Sequence, residues 1–545
     1  MTDLANPPRL QDDSEVDVLA VDALSTGTPL DHYWSRVVGA GRAHEALRAD
    51  WQDHLTRAVA DCGFEYVRFH GLFHDDMFVY RIDADGNEIF NFQYVDAVFD
   101  RLLGLGIRPF VEFGFSPGDL AREKNTVFWW NGHGSPPKDY DAWQRLITRT
   151  LEHWVARYGI NELTHWYFEV WNEPNLDPFF RGTRSEYLQL YAVSAQAVKA
   201  VDSRLRVGGP ATSNFVADQR FAGETEDVTQ HIVAGPDTLD QLDWNPVWVE
   251  AFLEFAAERG LPVDFVSCHP YPTDWALDEH GRGAKLTRNS EATPSDLRKL
   301  RRLIDASAFP DAELHLTEWN SSSSSRDHTH DQLPAATFIA KAVNGGLGQV
   351  DSLAYWTFTD VFEEVGAGDE LFHGGFGLIT LPGVVKPTFH AYRMLHRLGD
   401  TLLGRTTFAV ASRHSRSGQI AILAYHYPPE VDRSVPASFD NRQVADLTAR
   451  TGSPRRLELD LTNLAPGSGV FTEILDATHG NAIEAWRRMG SPSAPTREQL
   501  DQLRMMADST HLRTAHADRH GRLRLQQDLA PWSICLITAV ANRTS

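Results

Sequence analysis

Two glutamates in this sequence each close an apolar run at the point where a polar segment begins. Glu173 lies in the segment 171–175 and Glu318 in the segment 317–320. Two carboxyl groups that face each other across a cleft can cleave a glycosidic bond. One, protonated, assists the leaving oxygen, and the other, ionised, attacks or stabilises the anomeric carbon. Either glutamate alone could be an ordinary surface residue at a strand end, but the two together favour a catalytic pair.

The elements that must position these glutamates form a repeating pattern from about residue 32 to residue 398. Short apolar runs alternate there with amphipathic helical stretches. Eight runs can be counted, at residues 33–38, 67–69, 107–115, 166–171, 205–207, 263–268, 314–317 and 352–358. This alternation predicts a parallel sheet, and eight strands predict a closed (β/α)8 barrel. Because chemistry sits at the C-terminal ends of barrel strands, Glu173 after strand four and Glu318 after strand seven should share one mouth.

Local signals predict where individual elements begin and end. The first long amphipathic stretch is followed by Gly63, a residue typical of the position just past a helix. Thr293 is predicted to cap a later helix, with Pro294 at its first helical position. Pro174 is expected to keep Glu173 in an extended backbone conformation.

The pattern changes after about residue 400. Six short strand candidates separated by turns follow, at residues 408–412, 419–426, 456–461, 469–475, 522–526 and 533–540. They predict a small β-sandwich with one helical insertion, at residues 496–508. We therefore predict a catalytic barrel over residues 25–395 and a β-sandwich over residues 396–545, to which residues 1–24 could add a strand.

Composition and charge exclude several classes of partner. The 545 residues carry a net charge of −23, from 51 Lys+Arg against 74 Asp+Glu. That charge disfavours nucleic acid and anionic membranes as partners, and the longest apolar runs are too short to span a membrane. Three cysteines without a CxxC spacing predict buried free thiols. No secretory signal is recognisable, so the cytoplasm is the expected location. No cofactor is expected, and a homo-oligomer is possible.

The stretches around both glutamates resemble glycoside hydrolase family 39, the β-xylosidase and α-L-iduronidase family, in the clan of retaining (β/α)8 glycosidases. The similar stretches are VRFHGLFHDD at 67–76, FEVWNEPNL at 168–176, TEWNS at 317–321 and residues 482–492, and the resemblance extends over roughly residues 30–540. It implies that Glu173 is the acid/base and Glu318 the nucleophile of a retaining exo-β-xylosidase acting on neutral xylo-oligosaccharides. The two carboxyl groups should then lie about 5–5.5 Å apart.

Three alternatives stay open at this point. An α-L-iduronidase is the first, but its substrate carries a carboxylate, and few lysines or arginines besides Arg68 lie near the predicted strand ends. An endo-acting glycanase is the second, and it would show an open groove instead of a pocket. A non-catalytic sugar-binding protein is the third, and the presence of both carboxylates argues against it.

The resemblance and the barrel geometry also imply roles for polar residues at other strand ends. Arg68 would hold the charge of the nucleophile, or would form a purely structural ion pair inside the barrel. Glu169 lies four residues before the acid/base, inside the strand, and is predicted to pair with Arg68 rather than to react. Asn172 would donate to the sugar 2-hydroxyl. By resemblance, His269 contacts the sugar and Tyr271 lies near the nucleophile.

Four more residues are candidates for contact with the sugar. Trp356, on strand eight, would form the floor of the sugar subsite, and Phe115, on strand three, would form its wall, although aromatic residues at such positions are frequently core. His70 and Glu364 would bind sugar hydroxyls.

Two polar clusters and one glycine-rich segment could suggest other chemistry. The clusters at residues 326–331 and 74–76 contain metal-ligand types, but both are predicted to be solvated loops, so no metal is expected. The glycine-rich segment 366–377 has no Gly-Lys-Ser/Thr element and is predicted to be an active-site loop rather than a phosphate loop.

Overall fold

The fold is dominated by a closed parallel barrel. A computed structural model of the chain describes residues 16–232, 236–277, 283–362, 364–432, 435–436 and 441–542. The eight barrel strands, here numbered 1 to 8 along the chain, are Val37–Arg42, Tyr66–His70, Arg108–Phe113, Tyr167–Val170, Arg206–Ser213, Phe265–His269, Glu313–Trp319 and Ser352–Tyr355. Each is parallel to both neighbours, and strand 8 pairs with strand 1. The predicted (β/α)8 fold is confirmed.

Helices cover the outside of the barrel. The principal ones are Ala49–Cys62, Gln93–Gly104, Tyr140–Tyr158, Arg184–Val201, Val249–Glu258, Ala292–Asp305, Leu333–Gly346 and Pro387–His396. In the first of them, Trp51, Leu55, Ala58 and Cys62 recur on one face and are fully buried, as an amphipathic helix requires. It ends as predicted at Gly63, whose φ of 74° is left-handed.

The barrel interior is built in layers because alternate residues of a strand point inward. A layer of buried apolar residues lies toward the strand starts: Val37, Tyr66, Phe110, Tyr167, Phe265 and Ala354. Two residues further along strands 2, 3 and 4 come the buried charged residues Arg68, Glu112 and Glu169. A polar layer therefore rests on an apolar one, directly below the mouth.

Two sequence-based boundaries were wrong. The run at residues 33–38 was predicted as strand 1, but Tyr33–Ser35 is a short 3-10 helix, and the strand is Val37–Arg42. Two glycines weaken the apolar pattern of the true strand. Thr293 does not cap its helix, which begins at Ala292, because its side chain is buried inside the first turn.

The C-terminal region is a β-sandwich. One sheet contains Thr28–Pro29, Thr401–Thr406, Ala409–Arg413, Gln419–Tyr425, Ile534–Val540, Gly469–Leu475 and His511–His516. The other contains Val16–Asp22, Arg455–Thr462 and Leu523–Leu529, so an N-terminal strand does join this part of the fold. Inward-facing side chains of the two sheets, such as Leu19, Ile422 and Leu459, share one apolar core.

The sandwich region differs from prediction in its helices and its edge strands. The described residues of this region form three α-helices instead of one: Arg442–Arg450, Ile483–Arg488 and Arg497–Asp508. The predicted one begins with Thr496 as a capping box with Gln499. The strands Thr401–Thr406 and His511–His516 were not predicted, because few of their residues are buried and their apolar pattern is weak.

The three cysteines of the chain lie in its interior. Cys62, Cys268 and Cys535 are buried free thiols, as predicted. Within the described ranges, no helix combines the length and the apolar character needed to cross a lipid bilayer.

Candidate active site

The C-terminal ends of the barrel strands surround a cavity of about 160 Å³. Its lining includes both predicted carboxylates, Glu173 and Glu318. Four aromatic side chains form much of its wall: Phe128, Phe179, Trp356 and Phe376. The volume is well below the roughly 300–1,000 Å³ of pockets for drug-sized ligands. It is the scale of a site for one sugar ring.

Glu318 lies within strand 7, one residue before its end, and donors reach both of its oxygens. Arg68 Nη1 donates to Oε1 over 2.8 Å, and the Tyr271 hydroxyl donates to Oε2 over 3.0 Å. Burial and the nearby carboxylates raise the pKa of Tyr271 well above its ordinary value, so its hydroxyl remains a donor. Two donors that prefer an anion favour the ionised form of Glu318.

Glu173 follows strand 4 and has a different environment. Its backbone is left-handed, with φ of 47°, so the extended conformation predicted from Pro174 is wrong. The Glu173 amide instead donates to the carbonyl of Ala211 over 2.9 Å, which ties this turn to the end of strand 5. Its Oε1 lies 3.0 Å from Nδ1 of His269. A left-handed non-glycine residue at this place marks a backbone that the surroundings hold against its own preference.

The two carboxyl groups approach each other closely at the mouth of the barrel. One carboxylate oxygen of Glu173, one of Glu318 and a ring nitrogen of His269 all lie within 4.8 Å of one another. Among the described residues, these three side chains are the one group of metal-ligand types close enough to share an ion. Hydrogen bonds from Arg68 and Tyr271 already account for the position of Glu318.

Arg68 is the centre of the polar layer below the cavity. Its Nε donates to Glu169 over 2.6 Å and its Nη2 to Oδ1 of Asn172 over 2.9 Å, in addition to the bond to Glu318. Burial alone would lower the pKa of Arg68, but Glu169, Glu112 and Glu318 outweigh it, so the pKa is raised and the guanidinium stays cationic. Glu169 thus has the paired position predicted for it.

A chain of hydrogen bonds connects Glu173 to this layer. Thr317 donates its hydroxyl proton to Oε1 of Glu169 over 2.7 Å, and the Thr317 oxygen lies 3.0 Å from Nε2 of His269. Because Thr317 has only one proton to give, Nε2 of His269 must be its donor. Burial lowers the pKa of His269 to about 4, so the imidazole is neutral and its Nδ1 is an acceptor. Oε1 of Glu173 must then supply the proton of that bond.

Asn172 is held by one end of its amide and open at the other. Its Oδ1 accepts from Arg68, while its Nδ2 is buried without a hydrogen-bond partner in the described part of the chain. Asn172 lines the cavity. A buried amide that lacks an acceptor is suited to bind a sugar hydroxyl.

The remaining predicted sugar contacts divide into two groups. Trp356, His70 and Glu364 line the cavity, although Trp356 lies one residue beyond strand 8. Phe115 and His269 do not line it, so the wall position predicted for Phe115 and the sugar contact predicted for His269 are not found in the structure. The Phe115 ring is fully buried and packs against His70, at 6.0 Å between ring centroids.

Sequence reasoning missed one charged residue of the site and several of its apolar walls. Glu112 is buried, 2.7 Å from Nδ1 of His70 and 3.0 Å from Nη2 of Arg68. A lone acidic residue in an apolar strand was the available signal. Phe128 and Phe179 come from the loops after strands 3 and 4, where neither periodicity nor strand position indicates which side chain turns inward.

The polar clusters considered as metal sites have protein partners. Asp331 and Asp360 both pair with the buried Nζ of Lys386, at 2.8 and 2.7 Å. They also accept from the amides of Gly374 and Gly377. This buried triad fixes the glycine-rich segment beside the cavity. In the other cluster, Asp75 accepts from the Gly118 amide and Asp76 pairs with Arg42.

Comparison with known proteins shows which family this chain matches. The family model described as Glycosyl hydrolases family 39 matches residues 17–524. A β-xylosidase from Geobacillus stearothermophilus is 38% identical over 480 residues, 86% of this chain and 85% of that protein. The crystal structure of a monomeric β-xylosidase from Caulobacter crescentus CB15 has a TM-score of 0.82 at 31% identity, covering 97% of this chain and 100% of that one. Human α-L-iduronidase is 22% identical over 566 residues, 96% of this chain and 78% of that protein.

Proposed function

The chain belongs to glycosyl hydrolases family 39, and on that premise we propose that it is a retaining β-xylosidase that removes terminal β-D-xylosyl residues from xylo-oligosaccharides. The observation that carries this proposal is the arrangement of Glu173 and Glu318 across a cavity of single-sugar size. Their oxygens lie within 4.8 Å. Retaining glycosidases place the two groups about 5–5.5 Å apart, whereas inverting ones leave about 6.5–9.5 Å for a water molecule.

The contacts of the two glutamates support different roles. Glu318 receives donors at both oxygens, which suits an ionised nucleophile. Glu173 must supply the proton in its hydrogen bond to the neutral His269, which suits a general acid.

These roles give a double displacement. Glu318 attacks the anomeric carbon as Glu173 gives its proton to the leaving oxygen, and a covalent glycosyl-enzyme forms. Glu173, now ionised, then takes a proton from water, which attacks the same carbon and releases Glu318. Asn172 is placed to donate to the 2-hydroxyl during both steps.

The charge of the cavity favours a neutral sugar over a uronic acid. Its described lining contains Glu173, Glu318 and Glu364 but no lysine or arginine. A substrate carboxylate would meet three acidic side chains and no described cation there. This observation ranks an α-L-iduronidase-like activity second.

Two assays test the proposal. Hydrolysis of nitrophenyl β-xyloside should exceed that of the corresponding α-L-iduronide by orders of magnitude, and the reverse order would make the chain an iduronidase. NMR of the first-formed sugar should show the β-anomer before mutarotation. If the α-anomer appears first, the enzyme inverts, and the covalent step is excluded.

A further inference from the structure

The polar layer contains, besides Glu169, a second carboxyl group that the double displacement does not use. Glu112, in strand 3, is buried and has no direct contact with the space for the sugar. It shares Arg68 with Glu169 and Glu318, so one guanidinium faces three carboxyl groups within 3.0 Å. Such a cluster is most stable when one of the three carboxyl groups is neutral.

Hydrogen-bond geometry and burial together favour Glu112 as the neutral one. Arg68 donates to Glu169 and to Glu318, but its approach to Glu112 is an ion-pair distance without a well-aligned hydrogen bond. The hydrogen bond that Glu112 does make joins its Oε2 to Nδ1 of His70 over 2.7 Å. Burial and nearby Glu173 raise the pKa of Glu112 to about 8, against the opposing effect of Arg68.

The position of the proton on Glu112 determines the tautomer of His70. Oε1 of Glu112 is buried without a partner among the described residues. An orphaned carbonyl oxygen costs less than an orphaned O–H, so the proton belongs on Oε2, where it is donated to Nδ1 of His70. Burial lowers the pKa of His70 to about 4, so its ring carries one proton, which must then be on Nε2. Nε2 lies 3.4 Å from Oε1 of Glu318, close enough to act on its charge although the two atoms do not form a well-aligned hydrogen bond.

We propose that Glu112 is a positioning residue, a neutral carboxylic acid that fixes His70 as the Nε2–H tautomer and so presents a second N–H group to the nucleophile beside Arg68. The inference rests on the proposed function, because it takes Glu318 as the nucleophile. His70 packs against Trp356, at 4.7 Å between ring centroids, and lines the cavity. The same hydrogen bond therefore also orients the ring toward the sugar.

Loss of the proton from Glu112 would reverse the polarity of this contact. An ionised Glu112 requires a proton on Nδ1 of His70, so Nε2 would release its own proton and direct a lone pair at Glu318. The pair would lose one proton in all and add a negative charge below the nucleophile. The titratable and charged groups that face this pair are Arg68, Glu169, Glu173, His269 and Glu318. Activity should therefore fall above about pH 8, through a group other than Glu173.

The test uses a dinitrophenyl β-xyloside, whose leaving group needs no proton from Glu173. We expect wild-type kcat/KM to fall about tenfold per pH unit above pH 8, the slope of a single ionisation, down to the rate of the ionised form. Glu112→Gln can donate its amide N–H to His70 but cannot ionise. It should retain activity at pH 7 within about tenfold and show no such decline up to pH 10. An unchanged alkaline decline in Glu112→Gln would overturn the proposal.

A matched control uses a second Glu–His pair at the opposite end of the barrel. Glu313 Oε2 lies 2.9 Å from Nε2 of His315, far from the cavity. His315 and Tyr167 lower the pKa of Glu313 to about 2 despite its burial, so that carboxylate is ionised. Glu313→Gln should leave the alkaline decline as in the wild type.

A spectroscopic measurement keeps the proposal testable if Glu112→Gln fails to fold. In Glu173→Gln protein labelled with 13C at the glutamate carboxyl carbons, one carboxylic-acid signal should persist at pH 7. If every glutamate is ionised at pH 7, Glu112 does not have the role assigned here. A wild-type enzyme that hydrolyses no xyloside would instead refute the proposed function.

Discussion

Two clusters of charged side chains, each built around a buried charged group, are compensated in opposite ways. Below the cavity, Arg68 faces three carboxyl groups, those of Glu112, Glu169 and Glu318. At the junction of barrel and sandwich, the ratio of cations to anions is reversed. There the single carboxylate of Glu473 pairs with Arg393 and Arg397 and accepts from the hydroxyl of Thr510.

The different balance of charge in the two clusters suits two different roles. Burial would raise the pKa of Glu473, but Arg393 and Thr510 outweigh it, so the pKa lies below its ordinary value and the carboxylate is a fixed anion. In the Arg68 cluster negative charge is in excess, which stabilises the positive charge that develops on the sugar and keeps one carboxyl group protonated. We infer that the junction cluster serves stability and the Arg68 cluster serves reactivity.

The largest effect is expected from Glu318→Ala. Without the attacking group no glycosyl-enzyme can form, so kcat should fall by about 10⁴-fold or more with every leaving group. Because the substitution removes one anion from a cluster with an excess of negative charge, the thermal unfolding midpoint should not decrease. Steady-state kinetics and thermal unfolding together test this, and a clear loss of stability would show that the cluster is structural.

Glu173→Ala should have an effect that depends on the leaving group. Hydrolysis of unactivated xylosides should fall by about 10²–10⁴-fold, whereas glycosylation by an activated aryl xyloside should continue and deglycosylation should stall. Azide needs no base, so its addition should restore turnover and give the β-glycosyl azide. An α-azide from this variant would mean that the roles of Glu173 and Glu318 are reversed.

Tyr271→Phe should produce an intermediate effect. It removes one donor from Oε2 of Glu318 and keeps the ring. A hydrogen bond to a charged group contributes about 1.5–3 kcal/mol, so kcat/KM should fall about 10- to 100-fold. An unchanged kcat/KM for aryl xylosides would show that this donor does not act on the reacting carboxylate.

Glu473→Ala should leave catalysis intact and weaken the fold. Two arginines would lose their shared partner, at a cost of about 1–3 kcal/mol, and the thermal unfolding midpoint should fall by a few degrees. kcat/KM at a temperature well below that midpoint should stay at the wild-type value. If kcat/KM of this variant fell at that temperature, Glu473 would also affect catalysis, and the two clusters could not be assigned separate roles.

The sequence was informative where strand periodicity determines position. Two-residue alternation in strands 2 and 4 is enough to place Arg68 and Glu169 in one layer, and strand ends are enough to place Glu173 and Glu318 at one mouth. The same reasoning applied to strand 3 would have found Glu112.

Other features depend on tertiary contacts that no local pattern carries. The left-handed turn at Glu173 depends on a hydrogen bond to Ala211, which overrides the preference set by Pro174. Phe115 was predicted to form the wall because it ends the apolar run predicted as strand three, but the strand ends at Phe113 and the Phe115 ring packs against His70. Phe128 occupies the wall instead, and it comes from a long loop.

The assignment of Glu318 as nucleophile is the central claim, and covalent trapping tests it most directly. A 2-deoxy-2-fluoro-β-xyloside with a dinitrophenyl leaving group should form the glycosyl-enzyme faster than it breaks down, because fluorine at C2 disfavours the positively charged transition states. After digestion, mass spectrometry should find one added fluoroxylosyl group, on Glu318. A label on Glu173, or no label in an enzyme that hydrolyses xylosides, would contradict the account.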